Sequence, residues 1–586
     1  MNSASVHTRL RMSEPDIRLR EAPSGTLYIA SAQPLPTPVR AVGDWLVRWA
    51  TEQPERVFLA ERLPSGAWQT LRYGEALQAV RSVAAGLLEA GASAQKPVAI
   101  LSGNSINHAL LALAAMHVGV PVAPISPAYA LLDKSHGKLR QIISDLQPSV
   151  VFAEDSQLFA PALAAIGRVA TPMAQLRRPA TDSVDRAFER LTPDTVAKVL
   201  FTSGSTGAPK GVLNTQRMLT VNQLQSALVW PFLTDEPPVL VDWLPWNHTF
   251  GGNYTFNLVL CHGGTMYIDQ GKPMPGAFSQ TLANLREISP TIYFNVPRGF
   301  ELLLPYLEDD AAFRRHFFSR CRFVLYAGAS LPLNVWQRLE QLGQQECGGH
   351  LVLASSWGST ETAPMCLGSH AGHTVLGTVG LPVPGCELKL VPNGGKLEAR
   401  VRGPNITQGY LKNPQASGQA FDDEGFYCMG DALRFVDASD PAKGMLFDGR
   451  VAEDFKLRTG TWVHVGKLRV SLLDAAAPLV QDAVITGQDR DEIGAMLFLN
   501  PAVAKDLPED AIRQRIRAAL EKLTQSEGRT SSMHIAHTLV LEEPPSVEHG
   551  EITDKGYLNQ RLIRDRRSEW VERLHQKPAH PQVISC

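Results

Sequence analysis

Glycine, hydroxyl and lysine side chains are concentrated in residues 200–212, which read Leu-Phe-Thr-Ser-Gly-Ser-Thr-Gly-Ala-Pro-Lys-Gly-Val. Glycines let a backbone turn tightly and bring its N–H groups close to an anion. The hydroxyl groups add hydrogen-bond donors, and the lysine adds a mobile positive charge. This combination favours binding of a polyphosphate. The residues concerned are Thr202, Ser203, Gly204, Ser205, Thr206, Gly207, Lys210 and Gly211.

A surface loop without a ligand is the alternative interpretation of this stretch, because Ser/Gly-rich composition is common in loops. The stretch also lacks the Gly-x4-Gly-Lys-[Ser/Thr] spacing of a Walker A loop. The polyphosphate hypothesis therefore depends on the motifs that follow along the chain.

The elements that must position this loop are short apolar strands that alternate with helices. Residues 196–201 predict a buried strand that leads directly into the loop. Other predicted strands also end in small or polar residues, and ligands of open α/β sheets bind outside the carboxyl ends of strands. We therefore expect the active site at these ends. The strands are residues 239–246, 291–296, 322–326 and 350–355.

The alternation of strands and helices predicts an α/β protein with more than one domain, because 586 residues exceed one ordinary core. Residues 1–40 predict an irregular N-terminal arm. Residues 41–449 predict a large domain with parallel sheets flanked by helices and a small β unit. Residues 450–586 predict a smaller α+β C-terminal domain.

Composition excludes several classes of protein. The formal net charge of −2 provides no field that recruits nucleic acid or anionic membranes, and no apolar stretch approaches the length of a membrane span. Residues 1–24 lack the apolar segment of a signal peptide. The seven cysteines are scattered without C-x-x-C spacing, which indicates free thiols in a reducing cytosol. We expect a cytoplasmic monomer or homodimer that binds small molecules.

Four motifs occur in an order that resembles the adenylate-forming superfamily of acyl-CoA synthetases, luciferases and nonribosomal adenylation domains. They lie at residues 202–211, 357–361, 427–431 and 449–456, and the resemblance covers residues 41–561. It implies that ATP, with Mg²⁺, activates a carboxylate as its acyl-adenylate and that coenzyme A then accepts the acyl group.

Further segments resemble the feruloyl-CoA synthetase branch, which joins hydroxycinnamic acids to coenzyme A in the bacterial breakdown of lignin-derived aromatics. They are residues 104–109, 124–129, 243–253, 293–297 and 550–556. The resemblance implies a substrate such as ferulate, coumarate or caffeate.

The resemblance also assigns a role to each nucleotide-binding residue. Residues 202–210 would hold the β- and γ-phosphates, Thr360 would meet the α-phosphate, and Glu361 with Thr206 would ligate Mg²⁺ through hard oxygen atoms. Asp431 would accept both ribose hydroxyl groups, since a carboxylate can take two hydrogen bonds at once. The adenine would lie against Gly328, Ala329, Ser330, Trp357 and Gly358.

Three of these assignments have structural alternatives. Arg450 would bridge the nucleotide and the moving C-terminal domain, or it forms an ordinary surface ion pair. Glu361 on its own is typical of a carboxylate at a helix N-terminus, and Asp431 of a turn aspartate.

A second polar loop, residues 247–253, lies where relatives hold the acyl group. His248 would orient the carboxylate there, although a lone histidine is more often structural. An aromatic wall suits a flat phenolic acid better than a long alkyl chain, although aromatic residues are also ordinary core. The pocket candidates are His248, Phe250, Gly251, Asn253, Tyr254, Phe294 and Asn295.

The chain departs from the family pattern at two places. Glu551 occupies the aligned position of the lysine that assists adenylation, and a glutamate would repel phosphate. Lys555 lies four residues further on, and we expect it to take this role. At the hinge, Ala452 replaces the usual Asp or Lys, whereas Lys456 matches a lysine of the second half-reaction. Alternation of the C-terminal domain would assemble the two active sites in turn.

Three alternatives to a hydroxycinnamate ligase stay open. The chain could act on another acid, such as a benzoate or a medium-chain fatty acid. It could also be a nucleotide-binding relative without activity, which Glu551 favours. Loading of a carrier protein is less favoured, because no carrier-like segment is found within residues 1–586.

Overall fold

A computed structural model describes residues 10–203, 208–274, 276–348, 351–373, 375–527, 530, 532–546, 549–552 and 558–585, except the side chains of Ser203, Ser526 and Glu527. The chain divides into two units. The first contains residues 1–389, 400–429 and 435–446, and the second contains residues 390–399, 430–434 and 447–586. The α/β fold class is confirmed, with a large N-terminal part built on sheets and helices and a smaller C-terminal part.

Three sheets with parallel strands organise the first unit. The first sheet has the order Val150–Ala153, Val98–Leu101, Val122–Pro124, Val196–Ser203 and Pro209–Thr215, and the last of these strands is antiparallel. The second has the order Val239–Asp242, Thr265–Ile268, Val57–Arg62 and Trp68–Arg72. In the third, the parallel strands Ile292–Asn295, Phe323–Tyr326 and Val352–Gly358 continue into the antiparallel strands Met365–Gly368 and Thr378–Pro382.

Helices pack against these sheets, and the packing removes apolar side chains of both from water. Those of the first unit are Val42–Glu52, Tyr73–Glu89, Ile106–His117, Pro127–Leu131, Gly137–Leu146, Ala160–Ala165, Met173–Leu176, Asp182–Glu189, Gln216–Val229, Phe256–Cys261, Phe278–Glu287, Pro297–Asp309, Ala311–Phe318, Leu333–Cys347 and Pro414–Gln419. Ile106–His117 is buried along nearly its whole length, as expected of a helix that is apolar on all sides.

The second unit has its own sheet and core. Its strands Val480–Thr486, Ile493–Leu499, Ile535–Val540 and Ile584–Ser585 form a mixed sheet, and Phe455–Lys456 pairs with Trp462–Val463. Its helices are Val465–Ala476, Pro501–Ala504, Glu509–Glu527, Gln560–Arg566 and Ser568–His575. Residues of both units occur in each of the strands Glu387–Asn393, Lys396–Arg402, Tyr427–Phe435 and Met445–Arg450.

Two local expectations were wrong. Strands Ile17–Glu21 and Leu27–Ser31 form an antiparallel hairpin within the predicted irregular arm, because Ile-Arg-Leu-Arg already alternates as a strand does. The sequence of residues 132–146 predicts one continuous helix, but the helix begins at Gly137. Asp133 accepts hydrogen bonds from the backbone and hydroxyl of Ser135, and this Asx turn competes with the helix.

Among the described residues, no helix is both long enough and apolar enough to cross a membrane. The cysteines Cys261, Cys321, Cys347, Cys366, Cys386 and Cys428 are free thiols.

Candidate active site

Predicted site residues follow the carboxyl ends of the parallel strands of the third sheet. Asn295 ends one strand, Gly328 follows the next, and Trp357 and Gly358 end the third. Because these strands are parallel and in register, the segments that follow them start at the same edge. Gly328, Ala329 and Ser330 are exposed there, whereas Trp357 is buried.

The predicted phosphate loop joins two paired strands. Thr202 pairs with Lys210 and Ser203 with Pro209 across this hairpin. Thr202 and Lys210 are half-buried. Gly204, Ser205, Thr206 and Gly207, together with the side chain of Ser203, lie outside the described residues.

Glu361 is buried, with 9% exposure, and each of its carboxylate oxygens accepts a hydrogen bond from a hydroxyl group. The Tyr410 hydroxyl donates to Oε1 over 3.1 Å, and the Ser359 hydroxyl donates to Oε2 over 2.8 Å. In the described part of the chain, no lysine or arginine forms an ion pair with this carboxylate. Glu361 therefore has a buried negative charge oriented by neutral groups, with lone pairs left for a cation. Thr360 beside it is also buried.

Tyr410 brings this carboxylate together with the predicted phosphate lysine. Its backbone pairs with Val212 just after Lys210, and its ring centre lies 5.5 Å from the Lys210 ammonium. Burial, and then the charge of Glu361, raise the pKa of Tyr410 to about 12, so its hydroxyl stays protonated and can donate. The hydroxyl oxygens of Tyr410 and Tyr427 lie 3.2 Å apart. Sequence reasoning gave Tyr410 no role, because it lies in none of the quoted motifs.

The segment that carries Glu361 has no room for a side chain at Gly358. A Cβ atom there would lie 1.8 Å from the Pro364 carbonyl oxygen. The Glu361 carbonyl also accepts from the Thr407 backbone over 2.7 Å. These contacts hold the turn around Glu361 tightly.

In the second unit, Asp431 and Arg450 lie close together. Arg450 Nε is 3.5 Å from Asp431 Oδ1, and Val451 donates its backbone N–H to the Gly430 carbonyl. Asp431 is buried, whereas the Arg450 side chain is 63% exposed. The Asp431 carboxylate is therefore shielded from solvent, whereas most of the Arg450 side chain is accessible.

Lys456 and the segment before it also belong to the second unit. Lys456 is exposed, and its ammonium lies 5.0 Å from the centre of the Trp462 ring. Asp454 is bound by buried Lys396 and by His464, whose Nδ1 is 3.0 Å from Asp454 Oδ2. These contacts fix the chain shortly after Arg450.

The predicted acyl loop is a π-helical turn, Thr249–Thr255, packed backbone against backbone. Cβ atoms on Gly251 and Gly252 would lie 2.3 Å from the Leu244 carbonyl oxygen and 2.1 Å from that of Trp246, respectively. Both glycines are therefore required by the close approach of the two backbone segments. Single π-helical turns of this kind are often found at functional sites.

Aromatic rings line one side of this loop. The ring centres of Phe250, Tyr254 and Phe294 are 5.8–6.3 Å apart. His248 and Phe250 are half-buried, whereas Tyr254 and Phe294 are buried. Of the seven pocket candidates, His248 and Phe250 are thus the ones with exposed surface.

Asn253 and Asn295 are fully buried and hold neighbouring side chains. Asn253 donates to Asn214 Oδ1 over 2.6 Å. Asn295 accepts from Trp243 Nε1 over 3.2 Å and donates to the Tyr293 hydroxyl over 2.9 Å. Their bonds orient the loop from behind.

Comparison with known families agrees with this geometry. The chain matches the family described as AMP-binding enzyme over residues 46–411, and the family described as AMP-binding enzyme C-terminal domain over residues 462–578. This chain belongs to the AMP-binding enzyme family. Membership accounts for the ordered motifs and confirms the coarser part of the predicted resemblance.

Individual relatives of this AMP-binding enzyme are distant. It is 28% identical to the long-chain-fatty-acid–CoA ligase FadD15 of Mycobacterium bovis over 507 residues, which span 75% of this chain and 79% of the relative. Its fold is similar to that of the anthranilate CoA ligase AuaEII in complex with anthranoyl-AMP, with a TM-score of 0.71, 19% identity, and coverage of 91% of this chain and 98% of that chain.

A second structural relative has a similar fold. It is the O-succinylbenzoate coenzyme A synthetase MenE from Bacillus subtilis in complex with AMP. The TM-score is 0.66 at 18% identity, with 90% of this chain and 99% of that chain covered. At this identity the likeness concerns the fold alone.

Glu551 of this AMP-binding enzyme is a buried structural residue with 2% exposure. Arg567 donates to both of its oxygens, over 2.9 and 2.7 Å, and the Ser546 backbone donates over 2.8 Å. Burial alone would raise the pKa of Glu551, but Arg567 and the Ser546 N–H outweigh it and lower the pKa. Lys555 lies outside the described residues, so its proposed role stays a prediction.

Proposed function

We propose that this AMP-binding enzyme is a carboxylate–CoA ligase that activates a hydroxycinnamic acid such as ferulate. The carboxylate oxygen would attack the α-phosphorus of ATP, with loss of pyrophosphate. The thiol of coenzyme A would then attack the acyl carbon, with loss of AMP. The products would be the aryl-CoA thioester, AMP and pyrophosphate.

The observation that carries this proposal is the grouping of Glu361, Tyr410 and Lys210. A buried carboxylate without an ion-pair partner among the described residues accepts a hydrogen bond from the Tyr410 hydroxyl, and the Lys210 ammonium lies 5.5 Å from the centre of the Tyr410 ring. Phosphoryl transfer depends mainly on positioning and charge neutralisation, which this pair of charges could provide.

The donor chemistry of the site fits Mg²⁺. Glu361 offers the hard oxygen ligands that Mg²⁺ prefers, and its orientation by two hydroxyl donors supports this use. Thr206 is the second proposed ligand. When bound, the ion would neutralise charge on the phosphates. Thr360 would meet the α-phosphate, while Thr202, Ser203, Gly204, Ser205, Gly207 and Lys210 would hold the others.

The remaining nucleotide and domain assignments are proposals of the same kind. Asp431 would bind the ribose, and Gly328, Ala329, Ser330, Trp357 and Gly358 would surround the adenine. Arg450, Lys456 and Lys555 would act from residues 450–586, which we propose as a mobile domain. The structural engagement of Glu551 by Arg567 argues that this glutamate does not itself oppose the phosphates.

The aromatic cluster supports a flat acyl group. Phe250 has exposed surface beside His248, and Tyr254 and Phe294 support it from behind. Aromatic faces pack favourably against an aromatic substrate ring. His248 would orient the substrate carboxylate.

ATP–pyrophosphate exchange with a panel of acids tests the proposal. We expect exchange with ferulate, coumarate and caffeate to exceed that with benzoate and decanoate. Chromatography after addition of coenzyme A should show the aryl-CoA thioester and AMP in equal amounts. Absence of exchange with every acid would favour an inactive relative, and Lys210→Ala serves as the matched negative control.

A fatty-acid ligase is the second candidate, because FadD15, which is named as a long-chain-fatty-acid–CoA ligase, covers most of this chain. In the same panel, a preference for decanoate or palmitate over all aromatic acids would select this candidate.

A further inference from the structure

Lys198 is a buried lysine beneath the acyl loop that the proposed chemistry leaves without a role. It lies on strand Val196–Ser203, the strand that leads into the phosphate loop, and is 3% exposed. Its ammonium donates to the Gly252 carbonyl oxygen over 2.6 Å. Among the described residues it has no acidic partner.

Such a position is costly for the fold. A buried ammonium loses its hydration, and burial lowers the pKa of Lys198 to about 7. Apolar side chains of similar volume are often at least as stable at buried charged positions. Core packing by itself therefore gives no reason for a lysine here.

Lys198 contacts the acyl loop at Gly252, close in sequence to the half-buried residues His248 and Phe250. Gly252 donates its own N–H to the His248 carbonyl over 2.7 Å. Gln223 holds the carbonyls of Asn253 and Tyr254, each over 3.2 Å. Lys198 supplies a hydrogen bond one residue earlier, on the side of His248 and Phe250.

We propose that Lys198 is a positioning residue for the acyl-binding loop, whose bond to Gly252 holds His248 and Phe250 in the arrangement that accepts an aromatic carboxylate. The inference rests on the proposed function, because it assumes that this loop binds the acid. It adds a residue from the phosphate-loop strand to the determinants of acyl specificity, so one strand would serve both substrates.

Lys198→Met tests this inference, since methionine keeps the length and removes the donor. We expect the KM for ferulate to rise about tenfold and the KM for ATP to change less than about twofold, in line with the loss of one hydrogen bond. The midpoint of thermal unfolding should stay level or rise. That split between binding and stability is not expected of a merely structural lysine.

Gly252→Ala disturbs the same loop from the other side, because its Cβ would lie 2.1 Å from the Trp246 carbonyl oxygen. We expect it to raise the ferulate KM as well. Since both changes act on one loop, the double variant should show less than the product of the two effects.

Lys389→Met is the matched control. Lys389 is also a buried lysine, with 7% exposure, but it is ion-paired with Asp422 over 2.9 Å and lies outside the proposed site. Its loss should lower the unfolding midpoint and leave the ferulate KM unchanged.

An unchanged ferulate KM in Lys198→Met, or equal increases for ferulate and ATP, would overturn the inference. A fall in the unfolding midpoint that matches that of Lys389→Met would also do so. If Lys198→Met does not fold, a wild-type ferulate KM in Gly252→Ala would decide against it. Failure of the proposed function is distinct, since the unmodified enzyme would then show no exchange with aromatic acids.

Discussion

Glu361 in the first unit and Glu551 in the second are both buried glutamates, yet their partners differ. The Glu361 carboxylate accepts hydrogen bonds from the hydroxyl groups of Tyr410 and Ser359. Glu551 receives the guanidinium of Arg567, which also donates to the carbonyls of Glu543 and Pro544 over 2.9 Å each. Hydroxyl donors orient a carboxylate without cancelling its charge, whereas a guanidinium neutralises it. The partners, rather than burial, decide whether a carboxylate is available to a ligand.

The largest expected effect is on the free energy of unfolding when Glu551 is replaced. Glu551→Gln leaves the buried Arg567 guanidinium without its anion, so the free energy of unfolding should fall by about 3–5 kcal/mol. Urea denaturation followed by circular dichroism measures this change. Glu509→Gln, whose side chain is 84% exposed, is the control and should be neutral. Equal stability of the Glu551→Gln and Glu509→Gln variants would contradict a stabilising ion pair between Glu551 and Arg567.

Glu361→Gln should behave in the opposite way. We expect ATP–pyrophosphate exchange to fall about 10²- to 10³-fold, because a charge used in stabilising the transition state is lost. The free energy of unfolding should hardly change, because no ion pair among the described residues is broken. Exchange and denaturation measured on the same preparation check both statements, and retained exchange would contradict them.

Lys198 extends the comparison to a buried cation held by a neutral group, and it predicts a pH dependence. Its folded pKa of about 7 lies below the ordinary value of 10.5, so between these values the unfolded chain binds more protons. The free energy of unfolding of the unmodified enzyme should therefore rise with pH, by up to about 1.4 kcal/mol per unit, relative to Lys198→Met.

Denaturation of both proteins at pH 7, 8 and 9 measures this slope. His108, which lies near Lys198, has its pKa lowered to about 4, chiefly by burial, and does not titrate in that range. Identical slopes for the two proteins would show that Lys198 is paired or hydrated in solution.

Tyr410→Phe should have the smallest effect. It removes one hydroxyl donor to Glu361 and keeps the ring beside Lys210, so exchange should fall about five- to tenfold. The Mg²⁺ concentration for half-maximal exchange should rise, and calorimetry should show weaker binding of Mg²⁺ with ATP. Tyr306→Phe, at an exposed tyrosine, is the control. An unaltered Mg²⁺ requirement would mean that the Tyr410 hydroxyl is not needed to orient the carboxylate.

Local sequence predicted much of the fold. The apolar run 150–153 predicts a strand, which coincides with Val150–Ala153. The helical spacing of residues 73–90 predicts a helix, which the structure has at Tyr73–Glu89. Periodicity and buried apolar runs are local signals, so they can be read directly. Apolar spacing did not predict the start of the helix at Gly137, because the Asp133 side chain accepts a hydrogen bond from the Ser135 backbone and so competes with helical hydrogen bonding.

The candidate site was less accessible to sequence reasoning. Motif order indicated Lys210, Glu361 and Asp431, but Tyr410 and Lys198 carried no motif signal. Tyr410 lies near Glu361 and Lys210 because its backbone pairs with Val212, which belongs to a distant part of the chain. Lys198 is a single polar residue within the apolar run 196–201, and its partner Gly252 lies 54 residues further along the chain, in the acyl loop.

The amino-acid sequence by itself determined the alternation of strands and helices, the order of the motifs and hence the family, because these depend on residue types and local spacing. Tertiary structure alone decided which charges are neutralised. Arg567 pairs with Glu551, whereas hydroxyl groups hold Glu361 and a carbonyl holds Lys198. Charge pairing depends on contacts between residues far apart in the chain, and local pattern carries no information about them.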